Sequence, residues 1–279
     1  MKIKRYIRNL IKYLKGGGVV YVSVNTVNPL DRFKNKRVLV TGGTSGIGLE
    51  ISKEFLAEGA EEMITGRRQE VLDRTKSELR TSYNDRIHTI VWDVANVPDA
   101  KSKLDEVSKV MNGIDIIINN AGIYESTVWN QVTEYSYDRV NDINAKGLFF
   151  MCQAEGEYFI NNHIKGRIVN INSIAGLKSG FDPYSVSKWS SVCITKSIAK
   201  VLVKHGIVVN GIAPGNVVTN IHDGVRGKSV NDNAYMPSHL TERYTLVEEI
   251  ASMALYLSSD MATNIIGQVI AIDGGWTLN

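Results

Sequence analysis

Cysteine is scarce: only Cys152 and Cys193 occur in 279 residues, with no CxxC spacing and no histidine cluster beside them. That pattern excludes a disulfide framework and a zinc site, and core filling in a reducing compartment suits both thiols. The five histidines are scattered, without metal-ligand spacing or a nearby nucleophile motif, which disfavours metal and hydrolase chemistry. No apolar run approaches the length of a membrane span. Internal repeats, low-complexity tracts and a second domain boundary are likewise missing. Basic charge is lacking from the body of the chain: residues 1–37 carry +9, and the remainder carries −6. A nucleic-acid-binding body would spread a basic face over the folded domain, so that role is excluded.

What is present is ordinary for a globular protein, with 43% hydrophobic and 22% charged residues. Residues 1–15, MKIKRYIRNLIKYLK, place Ile3, Tyr6, Ile7, Leu10, Ile11 and Leu14 at helical spacing among six basic residues. Such a basic amphipathic helix suits either an anionic membrane surface or a packing site on its own domain or a neighbouring subunit. VVYVSV (19–24) is too short and too interrupted for a signal peptide and reads as a short extra strand, with Asn28-Pro29 as the turn that follows. Residues 1–35 are therefore an extension, and 36–279 one domain. There, strand patterns near 37–41, 62–65, 87–92, 114–119, 167–171, 207–212 and 268–272 alternate with helical patterns. Seven strands joined by helices imply a parallel sheet covered on both faces.

Residues 37–48, RVLVTGGTSGIG, break from an apolar strand into glycines before the helical pattern of Leu49, Ile51 and Phe55. Gly42 and Gly43 let the chain turn, Gly46 lets a phosphate approach the backbone, and Gly48 lets the helix pack closely on the sheet. A pyrophosphate then meets the unpaired N–H groups at the helix N-terminus. Beyond the second strand, where an NAD enzyme usually has a carboxylate for the ribose hydroxyl, stand Gly66, Arg67 and Arg68. Guanidinium groups bind a 2′-phosphate well, so NADP(H) is expected in preference to NAD(H). Tyr184 and Lys188 in YSVSK share one helical face, on a helix capped by Asp182 and opened by Pro183. A cation there would lower the phenol pKa and make Tyr184 a general acid/base.

TGGTSGIG resembles the cofactor turn of the short-chain dehydrogenase/reductases, and NNAG (119–122), YSVSK and PGNVVT (214–219) follow in family order. The resemblance covers about residues 36–276 and implies a single-domain, doubly wound Rossmann fold. It implies cofactor contacts at Thr41, Gly42, Thr44, Ser45, Gly46, Ile47, Gly48, Arg67 and Arg68. Asp93 and Val94 would meet the adenine, and Asn120, Ala121 and Gly122 the ribose. Pro214, Gly215, Val217 and Thr219 would lie beside the nicotinamide, with Tyr184 and Lys188 serving both cofactor and catalysis. Ser173 would bind the substrate oxygen, and Asn144 would complete a water-mediated proton path to Lys188.

The implied function is NADP(H)-dependent interconversion of a carbonyl and a secondary alcohol. Assembly as a homodimer or homotetramer through long helices near 133–162 and 184–205 is also implied, in the cytoplasm or peripherally at a membrane. Residues 220–244 follow the PG turn as a polar lid with His222, Asp223, Arg226, Lys228, Asn231, Asp232 and His239. A lid of that kind suits a keto sugar or other polar ketone. A 3-oxoacyl carrier-protein reductase and a non-catalytic cofactor-binding scaffold are the alternatives.

Overall fold

A computed structural model describes residues 31–125, 127–217, 236 and 238–278. Its strands are β1 (Arg37–Val40), β2 (Glu61–Gly66), β3 (Ile87–Val91), β4 (Ile116–Asn119), β5 (Arg167–Ile171), β6 (Val208–Pro214) and β7 (Val269–Ile272). Helices are α1 (Gly46–Ala57), α2 (Gln69–Tyr83), α3 (Ala100–Met111), α4 (Glu134–Asn141), α5 (Leu148–Asn161), α6 (Pro183–Leu202) and α7 (Val247–Ser258). The strands form one sheet in the order β3-β2-β1-β4-β5-β6-β7, and every pairing is parallel. The order reverses direction between β1 and β4. In an open sheet of this kind that reversal leaves a crevice outside the strands' carboxyl ends.

Burial on both faces explains the apolar runs of the middle strands β1 and β4. Val38 and Val40 of β1 with Ile116 and Ile118 of β4 enter one core, which takes Ile51 and Phe55 of α1 and Leu255 of α7. Leu39 and Ile117 enter the opposite core with Leu104 of α3, Phe159 of α5 and Leu202 of α6. Each such side chain contributes about 1.5–3 kcal/mol by leaving water. On α1 the buried set Gly48, Ile51, Ser52, Phe55 and Leu56 keeps helical spacing, and the helix is thereby clamped over the sheet.

Every expected strand lies within two residues of the observed one. β4 starts two residues later than expected, at Ile116, although Asp115 N still donates to Arg37 O at 2.9 Å. Tyr158 Oη accepts from Ile114 N at 3.1 Å. Asp115 takes Arg37 Nε at 2.7 Å and Nη2 at 2.8 Å in a forked ion pair that joins β4 to β1. The helix expected over 133–162 is present as α4, a π-helical segment Asp142–Gly147, and α5. Phe33, within the expected extension, is buried and meets Phe55 edge-on at 4.8 Å. The expected amphipathic helix 1–15, the strand 19–24 and the lid residues 220–235 lie outside the described residues. Among the described residues no helix is long and apolar enough to cross a membrane, and no group of metal-ligating side chains forms.

Candidate active site

The chain leaves β1 into a turn with Gly42 at φ +67° and Gly46 at φ +53°, a conformation that residues with a Cβ rarely adopt. Gly46 opens α1, whose first backbone hydrogen bond runs from Leu49 N to Ser45 O at 3.2 Å. Ser45 makes no capping bond and no acidic residue sits in the first turn. The N-terminal N–H groups of α1 thus face the crevice with the positive end of the helix dipole and no internal acceptor, which fits an anionic phosphate group.

Beside this turn, Asn120 fastens β4 to β1. Its Nδ2 donates to Thr41 O at 3.1 Å and Gly42 O at 3.0 Å. Thr41 Oγ1 in turn accepts from Asn120 N at 3.0 Å and Ala121 N at 3.1 Å. A Cβ at Gly48 would collide with the Asn120 amide and the Gly42 carbonyl. Thr41 is buried. Thr41 and Gly48 therefore lie beneath the turn and set its shape, whereas Gly42, Thr44, Ser45, Gly46 and Ile47 line the crevice.

The crevice is a cleft of about 810 Å³. At one end Arg67 and Arg68 follow β2, with Asp93 and Val94 after β3, and both arginines are exposed. Arg68 Nε stands 3.9 Å from Glu70, a loose surface pair. Asn120, Ala121 and Gly122 line the middle, with Pro214 at the end of β6 and Gly215 and Val217 beyond it. Thr219 lies outside the described residues.

Ser173, Tyr184 and Lys188 converge on the other end. Asp182 caps α6 as expected, its Oδ1 accepting from Ser185 N at 2.8 Å, with Pro183 in the first turn. Tyr184 and Lys188 follow on one face of that helix. Ser173 stands beside the Tyr184 phenol and opposes the rise of its pKa, and Ser173 itself caps the short turn after β5 by accepting from Ala175 N at 3.2 Å. Lys188 Nζ stands 5.5 Å from the centre of the Tyr184 ring and donates to Ile171 O at 3.1 Å.

Electrostatics at this pair differ from the sequence expectation. Burial pushes the Tyr184 phenol above its ordinary range, outweighing the effect of Ser173, and Tyr124 and Asp182 push the same way. Burial lowers Lys188 to about 8. The ammonium was expected to draw the phenol down, but desolvation dominates because neither charged form is well hydrated there. Asn144 lies in the π-helical segment and is buried. It brackets Ile123, with Oδ1 accepting from Ile123 N and Nδ2 donating to Ile123 O, both at 2.9 Å, and its Nδ2 also reaches Ser187 Oγ at 3.1 Å.

A sheet crossing over at an uncapped glycine turn, with serine, tyrosine and lysine at the same crevice, agrees with the sequence comparisons. The family profile described as enoyl-(acyl carrier protein) reductase matches residues 42–277. The chain belongs to the short-chain dehydrogenase/reductase family. Members are oxidoreductases that bind a nicotinamide cofactor, and this chain is an NAD(P)-dependent enzyme of that family. It is 33% identical to 3beta-hydroxysteroid dehydrogenase 2 of Eggerthella lenta, over 86% of this chain and 94% of that one. Galactitol 2-dehydrogenase of Agrobacterium fabrum is also 33% identical, over 88% and 98% of the two chains. A short-chain type dehydrogenase/reductase from Mycobacterium marinum superposes with a TM-score of 0.81 at 27% identity, covering 90% of this chain and all of that one.

Three features of this short-chain dehydrogenase/reductase site went unread in the sequence. Tyr124 meets Tyr184 edge-to-face at 4.9 Å and 86°. Trp276 lines the same cleft, and Lys178 Nζ donates to its carbonyl at 2.8 Å. Both aromatics sit just past strand C-termini, and the rule that ligands bind outside the carboxyl ends of the strands is the signal that flags them. The third is a relocation: His239, expected on a polar lid, is buried, and its Nε2 accepts from Asn216 N at 3.2 Å. Burial lowers the His239 pKa, so the ring braces the PG turn as a neutral acceptor.

Proposed function

We propose that this protein is an NADP(H)-dependent carbonyl reductase or secondary-alcohol dehydrogenase in which Tyr184 is the general acid/base. The observation that carries this reading is the meeting of the Ser173 hydroxyl, the Tyr184 phenol and the Lys188 amine at one end of the cleft that holds the open first turn of α1. When bound, the nicotinamide group supplies or takes up the hydride. Gly42, Thr44, Ser45, Gly46 and Ile47 would hold its phosphates, and Arg67 and Arg68 the 2′-phosphate. Pro214, Gly215, Val217 and, by family resemblance, Thr219 would meet the nicotinamide.

In reduction, Tyr184 gives its phenolic proton to the carbonyl oxygen. The Ser173 hydroxyl holds that oxygen and stabilises the charge developing on it. A phenol kept protonated by burial is in the form that reduction requires. Lys188 steadies the phenolate left behind. Asn144, by fixing Ile123 beside Gly122, acts on the site as a positioning residue; the family's water-mediated route to Lys188 is carried over for it by resemblance.

Relatives with names as different as a steroid, a polyol and an oxoacyl-carrier dehydrogenase or reductase leave the carbonyl compound open. The keto-sugar reading rests on residues 220–244, most of which lie outside the described residues. Assembly as a homodimer or homotetramer is supported by Phe149 and Phe150 on α5 and Val186, Trp189 and Val201 on α6, apolar side chains that stand exposed. A peripheral membrane contact through residues 1–15 in a cytoplasmic enzyme is supported by their charge and spacing alone.

The test is NADPH consumption with a panel of keto sugars, ring ketones and 3-oxoacyl thioesters, with Tyr184→Phe as control. Carbonyl-dependent consumption that falls about a thousandfold in Tyr184→Phe supports the reading. Turnover that survives in Tyr184→Phe removes it.

A further inference from the structure

The charged side chains lining the cleft are unevenly placed. Arg67, Arg68 and Asp93 stand at the β2–β3 end, and Lys188 lies under the reacting phenol. Around Tyr184 the remaining charged lining residue among those described is Asp182. Its carboxylate is committed to α6, taking Ser185 N at 2.8 Å and Ser185 Oγ at 3.2 Å. A carboxylate or phosphate on a substrate would meet the Asp182 carboxylate there, while Lys188 is anchored to Ile171 O and Lys178 to Trp276 O.

Hydroxyl-rich substrates fare little better. The Ser173 hydroxyl is reserved for the reacting oxygen, and the Asn172 amide donates to Ser191 Oγ at 2.9 Å, behind the site. Aromatic surface is what this end offers. Tyr124 is exposed, yet its ring is fixed edge-on against the catalytic phenol. Trp276 lies only three residues from the end of the chain, yet it is tied down: the Lys178 ammonium stands 5.5 Å over the indole and bonds the Trp276 carbonyl. Two preset aromatic rings bind flat apolar surface at little entropic cost.

We infer that Tyr124 and Trp276 are specificity residues that select a neutral, apolar, ring-shaped ketone or its alcohol, with the carbonyl at Tyr184 and the ring against the two aromatic walls. This rests on Tyr184 being the proton donor of a carbonyl reductase. Lys178 is then a positioning residue for Trp276.

Two readouts separate the layers of the argument. The first is the ratio of kcat/KM for 2-decalone to that for 2-butanone, with fructose as the polar comparison, in the wild type, Tyr124→Ala, Tyr124→Phe and Trp276→Ala. The second is calorimetric binding of 2-decalone to the NADP⁺ complex of the same four proteins, which needs no turnover. The expected result is a wild-type preference for 2-decalone over fructose. Its ratio over 2-butanone should fall about tenfold in Tyr124→Ala and Trp276→Ala, mainly through KM, and be kept in Tyr124→Phe. Binding of 2-decalone that weakens in both alanine variants, without turnover of any ketone, upholds the aromatic walls and removes the reductase reading. Turnover of fructose in preference to 2-decalone overturns the walls and leaves the reductase reading standing. Failure of 2-decalone to bind, or binding indifferent to both alanine substitutions, also overturns the inference.

Discussion

Lys188 and Tyr184 face each other across one turn of α6, the ammonium 5.5 Å from the centre of the phenol ring and anchored by a 3.1 Å hydrogen bond to Ile171 O. The amine is buried with no carboxylate paired to it among the described residues, and burial alone brings its pKa to about 8. This arrangement serves chemistry at the expense of the fold. An unfolded lysine titrates near 10.4, so between about pH 8 and that value the unfolded chain holds one more proton and stability rises with pH. Below about pH 8 the penalty is present in full. Lys188→Met is expected to raise the urea midpoint at neutral pH, to flatten its rise at alkaline pH, and to abolish carbonyl reduction. A lower midpoint in Lys188→Met would show that the amine holds the site together.

Glu155 carries the opposite sign. Its carboxyl is fully buried and accepts from Asn119 Nδ2 at 3.0 Å, and burial raises its pKa to about 8. The folded protein keeps that proton well above the unfolded value of about 4.3. Its contribution is whole below the unfolded pKa and is lost as pH climbs toward about 8, at up to roughly 1.4 kcal/mol per unit. Glu155→Gln keeps an acceptor for Asn119. Urea melts at about pH 5.5 and about pH 8 should show a smaller drop in the variant than in the wild type; equal drops would place the loss elsewhere.

Gly48 tests the cofactor turn. An added methyl drives the Asn120 amide off the Thr41 and Gly42 carbonyls, and overpacking of this sort costs about 1–3 kcal/mol. Gly48→Ala should weaken NADPH binding, followed by fluorescence, by at least tenfold and lower the melting temperature. Unchanged affinity would mean that the turn shape is held by other contacts.

Arg67 and Arg68 test cofactor choice. Loss of a charge-assisted bond to a 2′-phosphate costs about 1.5–3 kcal/mol. The double variant Arg67→Ala/Arg68→Ala should therefore lower kcat/KM for NADPH at least tenfold while leaving NADH within about twofold. An equal fall for both cofactors would assign the arginines no part in the discrimination.

The middle of the sheet was legible because β1 and β4 are buried on both sides and so carry apolar runs, as Val38–Val40 and Ile116–Ile118 show. The glycine turn and the Tyr184–Lys188 spacing were legible because backbone conformation and helical geometry demand them. Other features depend on distant residues. Thr41 and Gly48 read as ligand contacts, but their positions beneath the turn follow from Asn120, more than seventy residues away. The upward shift of Tyr184 comes from burial by the assembled fold, which a neighbouring lysine in the sequence cannot reveal. His239 reads as one more polar lid residue until Gly215 and Gly274 close around it.

The central claim is that Tyr184 gives a proton to a carbonyl whose carbon receives a hydride in this cleft. The most direct measurement is mass spectrometry of the alcohol formed from a ketone substrate with NADPH carrying deuterium at both nicotinamide C4 positions, for the wild type and for Tyr184→Phe. The account predicts one deuterium on the carbinol carbon with the wild type, and loss of the labelled product in a Tyr184→Phe protein that still binds NADPH. Unlabelled alcohol, or labelled alcohol formed equally fast without the phenol, would contradict it.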